Sequence, residues 1–332
     1  QPNLMQERLK KWNDLTGIIH RYQQDQMPVI YLRKETPKEA VCLVFEKVNT
    51  GGVSLTVFEL LTATFAADDY SLRDDWKARE KRLKKHPVLG TLESTDFLQA
   101  ISLLTTRARR IDILARETDI TKAPAISCKR KDVLKLALED YQSWAQPLTE
   151  GLEKAAKFLH DRNIFTGRDL PYRSQLVPLG SMFAILGDKG DNDGVKAKIA
   201  FWYWCGIFGE LYGGSTETRL AKDVPEVLEW IEGKNKPDTI IDANFVPIRL
   251  HSLRTRNSAA YKGLYALLLK DAPLDFRTGD KIDSLMYFNE KIDIHHIFPQ
   301  KWCKTQGIEA KWYNSIVNKT PISAKTNRII GG

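Results

Sequence analysis

Cysteine is scarce: four residues in 332, at positions 42, 128, 205 and 303, far apart and without a C-x-x-C pair. That spacing indicates neither a zinc ribbon nor a disulfide framework, and it points to a reducing, cytoplasmic setting. Long hydrophobic runs are missing as well. The longest, IAFWYWCGIFGELY, falls short of the roughly 18–20 apolar residues that a membrane helix needs. It reads as a buried helix, and no membrane is expected. No internal repeat or low-complexity segment is visible. The opening QPNLMQERLKKWNDL has no initiating Met and no apolar signal region, and it begins in a charged helical pattern. The chain is expected to be a piece of a longer protein.

What is present is an ordinary folded composition, 42% hydrophobic and 28% charged, with a formal charge of +8 that suits a polyanionic partner. The length suggests about two domains. Up to residue 230 the pattern is mostly helical, so the expected class is mainly α, α+β overall. Ala40, Leu43, Val44 and Val48 recur at helical spacing before NTGG breaks the run. Thr56 followed by Glu59 reads as a capping box ahead of FELLTATFA. Further helices are expected over Thr95–Arg110, Lys131–Trp144, Thr149–Asp161 and Gln175–Leu186, with a polar, mobile loop over Gly187–Gly194. A break at Glu232–Asp238 gives the expected division: 1–90, 91–235 and 236–332.

Basic clusters stand in WKAREKRLKKHP, at Arg107, Arg109 and Arg110, and in CKRK. Each reads either as a solvated helix face or as part of a path for a phosphate backbone. In GELYGGSTETRL, Gly213 and Gly214 precede Ser215 and Thr216, with Arg219 nearby; an anion site and an ordinary capped helix are the alternatives.

Two of the six histidines, His295 and His296, stand side by side in DIHHIFPQ, followed by YNSIVNKTPISAKTNR. A strand bearing the pair, a loop bearing Asn318 and a helix start bearing Asn327 make the pattern of a ββα-metal, or HNH, nuclease finger. Phosphodiester hydrolysis needs a deprotonated water and a cation beside the phosphate. An imidazole titrating near neutrality suits the first task, and an imidazole with an amide oxygen suits the second. This assigns His296 as general base, Asn318 as the residue orienting its ring, and His295 with Asn327 as ligands of one divalent ion, Mg²⁺ or Mn²⁺. Neighbours on a regular strand face opposite sides, so both histidines are expected to need a twist or bulge to share a site. The plain alternative is a partly buried pair without a catalytic task.

These residues resemble a known family. The segment from Asp293 onward is similar to the C-terminal HNH domain of the GmrSD-type modification-dependent restriction enzymes, through H-I-F-P, N-K-T and S-A-K-T-N-R. Upstream, FEKVNTGGVSL resembles the F-x-R-x-N-x-G-G-x-x-L motif of the same family's nucleotide-handling domain, and stretches between the two resemble its helical middle. The resemblance implies a truncated nucleotide-handling and DNA-sensing part over 1–90, a helical middle over 91–235 and an HNH endonuclease domain over 236–332. It also implies nucleotide contacts at Lys47, Asn49, Thr50, Gly51 and Gly52, and DNA contacts at Lys319, Lys325 and Arg328. Two departures matter: the family's Asp-Gly-Gln-Gln-Arg motif is absent, and Lys47 stands in the place of its Arg. Nucleotide hydrolysis by this stretch is therefore left open. The implied function is cleavage of foreign, modified DNA under the control of a nucleoside triphosphate. A non-cutting, nucleotide-dependent DNA-binding regulator or toxin and an RNA-directed nuclease stay as alternatives, as does a homo-oligomer.

Overall fold

The structure is a computed structural model that describes residues 2–24, 31, 44, 55–116, 121, 123–214, 216–282, 287 and 292–330. The chain divides into Gln1–Val53 and Ser54–Gly332. In the first unit the described element is α1 (Pro2–Gln24), which carries a Glu7–Lys11 ion pair at 3.1 Å on successive turns. The expected NTGG turn, with Lys47, Asn49, Thr50, Gly51 and Gly52, lies outside the described residues.

The second unit is mainly helical. α2 (Val57–Ala66) starts at the expected capping box: Glu59 N donates to Thr56 Oγ1 at 3.2 Å, and Thr56 N donates to Glu59 Oε2 at 2.7 Å. α3 (Leu72–Leu83), α4 (Ser94–Arg116), α5 (Leu138–His160) and α6 (Leu176–Leu186) follow. α5 departs from the pattern. The helix expected over Lys131–Trp144 shrinks to a single turn, Arg130–Val133, and a new helix then runs from Leu138 straight through Pro147. An interior proline costs a helix about 3 kcal/mol. Burial of Leu148, Leu152, Phe158 and Leu159 on the same helix offsets that cost.

α5 crosses α6 closely because glycines meet there. A Cβ on Gly151 would lie 2.5 Å from the Gly180 carbonyl oxygen and 2.6 Å from the Ala184 nitrogen. Beyond α6, the Gly187–Gly194 loop is tied down rather than free. Lys154 Nζ donates to Gly187 O at 2.8 Å and to Asp191 Oδ2 at 2.7 Å. α7 (Asp193–Phe208) carries the aromatic run and buries Ile199, Trp202, Tyr203 and Ile207. α8 (Glu217–Ile231) ends at the expected break, and α9 (Ala259–Lys270) packs against α7. The expected limits at 90/91 and 235/236 both lie within Ser54–Gly332, and α2 packs on α4 and α3 on α5 across the first of them. Among the described residues no helix is long and apolar enough to cross a membrane.

The chain then forms β1 (Ile292–His296), α10 (Gln300–Thr305), β2 (Lys319–Ser323) and α11 (Ala324–Ile330). β1 and β2 pair antiparallel from Ile292↔Ser323 to His296↔Lys319, and Ile297 N→Asn318 O continues the ladder. The apolar side of β1 holds this small sheet on the helices. Ile292 packs with Phe165, Tyr265, Leu269 and Ile282, and Ile294 joins the same cluster. Asp275 fixes the other end: its buried carboxylate accepts from Ser323 N at 2.9 Å, Thr326 Oγ1 at 2.6 Å and Arg277 N at 3.0 Å. Burial pushes this carboxyl upward, but the hydrogen bonds from Thr326, Ser323 and Arg277 outweigh it and hold the group well below the usual carboxylate range.

Two outcomes follow. Ala normally stabilises a helix interior by about 1 kcal/mol relative to Gly, yet Gly151→Ala should lower stability by roughly 1–3 kcal/mol through overpacking. Urea denaturation decides the sign, and a gain would show that the crossing relaxes. For Asp275 the folded pKa is depressed, so its contribution is full above the unfolded value of about 3.9 and is lost as pH falls below it. Asp275→Asn should cost about 2 kcal/mol at pH 7, with the gap to wild type narrowing below about pH 4. A gap that is flat from pH 7 to 3 contradicts this.

Candidate functional site

β1 delivers the histidines, the turn before β2 delivers Asn318, and α11 delivers Asn327. The histidines lie on a strand and Asn327 on a helix as expected, while Asn318 closes a 3-10 turn, Ile316–Asn318, rather than lying in a loop. The strand register is regular, with no bulge, so the two rings have different partners.

On the α11 side, His295 Nδ1 lies 2.8 Å from Asn327 Oδ1. A carbonyl oxygen only accepts, so the ring nitrogen donates. Asn327 Nδ2 in turn donates to Asp293 Oδ2 at 3.1 Å. Asp293 stands two residues before His295 and so shares its face of the strand. The result is a chain running His295, Asn327, Asp293, in which a nitrogen and an oxygen donor face each other and a carboxylate fixes the amide. Among the described residues no group of three or more His, Cys, Asp or Glu side chains is arranged to hold an ion.

His296 turns toward α10. Gln300 Nε2 lies 3.2 Å from His296 Nε2 and donates to Asn314 Oδ1 at 2.9 Å. An amide nitrogen only donates, so Nε2 of His296 is the unprotonated ring atom. Burial, then the Lys319 ammonium, lower the pKa of this histidine; a hydrogen bond with Asn314 opposes them and the His295 ring adds to them. Its neutral form is favoured at pH 7, which is the form a general base requires.

The hydrogen bonds of the Asn318 side chain run to backbone groups, and the side chain that meets the His296 ring is that of Gln300. The buried Asn318 carboxamide is fully engaged by backbone: Oδ1 accepts from Phe298 N at 2.8 Å, and Nδ2 donates to Phe298 O and Tyr313 O, both at 3.0 Å. It clamps the loop that follows the histidines. The Lys319 ammonium donates to the Arg254 carbonyl oxygen and lies 5.6 Å over the Tyr261 ring. Lys325 and Arg328 are exposed on α11.

The other basic stretches separate by role. Arg79 and Arg82 pair with Asp75 and Glu153, both at 2.7 Å, the first pair largely buried and the second partly exposed. Arg109, Arg110, Lys129 and Lys131 line one groove of about 680 Å³ that α8 also borders. Arg219 bonds Thr239 at 3.0 Å and Asp242 at 2.9 Å, and Thr216 makes no side-chain cap bond. Ser215 lies outside the described residues. Asp293, Gln300 and Asn314 were missed by the sequence reading. Spacing signalled the first two: Asp293 is two residues before His295, and Gln300 is four after His296 on the way into a helix.

No protein-family model matches the chain. Over 334 aligned residues it is 28% identical to an uncharacterized protein of Methanocaldococcus jannaschii, an alignment that covers 96% of this chain and 53% of that relative. The chain spans about half the length of the curated relative it matches.

Proposed function

We propose that this chain is a metal-dependent endonuclease of the HNH type, the cutting part of a cytoplasmic phage-defence system that hydrolyses phosphodiester bonds in foreign, modified DNA under nucleotide control. The observation that carries the reading is the ββα unit in which His295 meets Asn327 at 2.8 Å while His296, the next residue, keeps an unprotonated Nε2. The resemblance to GmrSD-type enzymes supplies the DNA target and the nucleotide.

His295 and Asn327 would hold one divalent ion, Mg²⁺ or Mn²⁺. An ion entering here would have to replace the Nδ1 proton that now bridges His295 and Asn327, and its remaining positions would be open to phosphate and water. When bound, the ion neutralises charge that builds on the phosphate. Asp293 keeps the Asn327 amide turned with its oxygen toward His295. His296 would take the proton of the attacking water at Nε2 once Gln300 releases that atom, and Gln300, itself held by Asn314, fixes the ring until then. Because the strand is regular, the bound phosphodiester must span the strand end, with His295 and Asn327 on one side and His296 on the other. Lys325 and Arg328 are the exposed cations of α11 that would meet flanking phosphates.

The roles separate by experiment. His296→Ala should cut plasmid nicking by roughly 10²- to 10⁴-fold, typical of a lost general base, with divalent binding intact by calorimetry. His295→Ala and Asn327→Ala should weaken ion binding, with activity partly restored at higher ion concentration. If His296→Ala abolishes ion binding while His295→Ala retains binding and cutting, the roles are reversed. If none of the three alters nicking, the nuclease reading fails.

Asn318→Ala should behave differently, because it strips buried backbone groups of partners. A stability loss of about 2 kcal/mol is expected, together with faster proteolysis between Ile297 and Asn318. Wild-type stability with reduced nicking would instead return Asn318 to a direct role at the ring.

A further inference from the structure

Beside the site stands a pair of rings that the cleavage chemistry does not use. Phe298 and Trp302 stack with centroids 5.6 Å apart and planes at 26°, yet they are 55% and 47% exposed. Such a pair at the surface needs explaining, because it sits in an unusually well-fixed segment. The Asn318 carboxamide bonds both the N–H and the C=O of Phe298, Pro299 follows, and buried Cys303 anchors the helix that carries Trp302. The same turn places Gln300 against His296. The rings are thus held rigidly, within one helical turn of the ring contact of the candidate base.

The charge around them decides what they suit. Lys301, Lys304, Lys325 and Arg328 are exposed on α10 and α11, while Lys311 pairs with Glu309 at 2.8 Å and Lys319 is turned to the Arg254 carbonyl oxygen. Lys301 and Lys304 stand exposed on α10 itself, and no acidic partner of theirs occurs among the described residues. An apolar protein partner would be a poor match for so one-sided a surface. A nucleic-acid strand matches both features, since every base offers a π-face and every link a negative charge.

We propose that Phe298 and Trp302 form a stacking platform for an unstacked DNA base next to the scissile phosphate, so that the preferred substrate is single-stranded or locally opened DNA. This rests on the nuclease reading for the nature of the strand, and it adds the strand's conformation. Asn318 is then a positioning residue for the platform.

The test is binding in EDTA, which separates it from cleavage. Labelled oligothymidine and a duplex of equal length are titrated against the wild type, Phe298→Ala, Trp302→Ala and Trp302→Phe. Each alanine variant should weaken oligothymidine binding by about five- to a hundredfold, with less effect on the duplex. Trp302→Phe should restore most of the affinity, and it keeps the test valid if Trp302→Ala fails to fold. The emission lost between wild type and Trp302→Phe should be quenched by oligothymidine. Unchanged affinity in a folded Trp302→Ala, or no such quenching, overturns the platform. So does a wild type that sediments as a dimer with a monomeric Trp302→Ala, because the rings then cover a second copy. Quenching without cutting in Mg²⁺ or Mn²⁺ would sink the nuclease reading and keep the platform. Cutting with an unchanged KM in Trp302→Ala would do the reverse.

Discussion

Two strands of five residues make too small a sheet to be stable alone, and the candidate site depends on how that sheet is held. Its support is apolar. Ile292 and Ile294 bury against Tyr265, Leu269 and Phe165, so one face of β1 belongs to the helical body. Strand alternation then sends Asp293 and His295 to the other face, where Asn327 lies. A one-residue slip would exchange the two sets and remove both the anchor and the site. The same burial that stabilises the finger therefore sets its chemistry.

Two buried polar groups complete the support. Asp275 holds the junction of β2 and α11, and Asn318 holds the loop between β1 and α10, each through hydrogen bonds to buried or partly buried groups. Neither touches a ring of the histidine pair. Their work is geometric: Asp275 fixes the start of the helix that carries Asn327, and Asn318 fixes the loop that carries Phe298 and leads to Gln300. In a finger with so little core, such clamps replace hydrophobic mass.

Local chemistry was legible in the sequence wherever the residues that act are neighbours in the chain. The Thr56–Glu59 capping box formed as read, and so did the histidine strand and the Asn327 helix. Contacts between distant segments were not legible. Nothing near Asn318 announces that its amide reaches Phe298, and nothing near Asp275 announces Thr326. Lys319 looked like a surface cation, but it folds onto Tyr261 and the Arg254 carbonyl oxygen because β2 runs beside α9. Pro147 illustrates the same limit, since only tertiary packing makes a continuous helix through it favourable.

The central claim is that this finger cuts DNA with a divalent ion, and supercoiled plasmid tests it most directly. The purified chain, stripped with EDTA, is incubated with plasmid before and after Mg²⁺ or Mn²⁺ is restored. The account predicts intact supercoiled DNA in EDTA and open-circular product once the ion returns. A folded chain that leaves the plasmid supercoiled at every ion concentration, or that cuts equally well in EDTA, contradicts it.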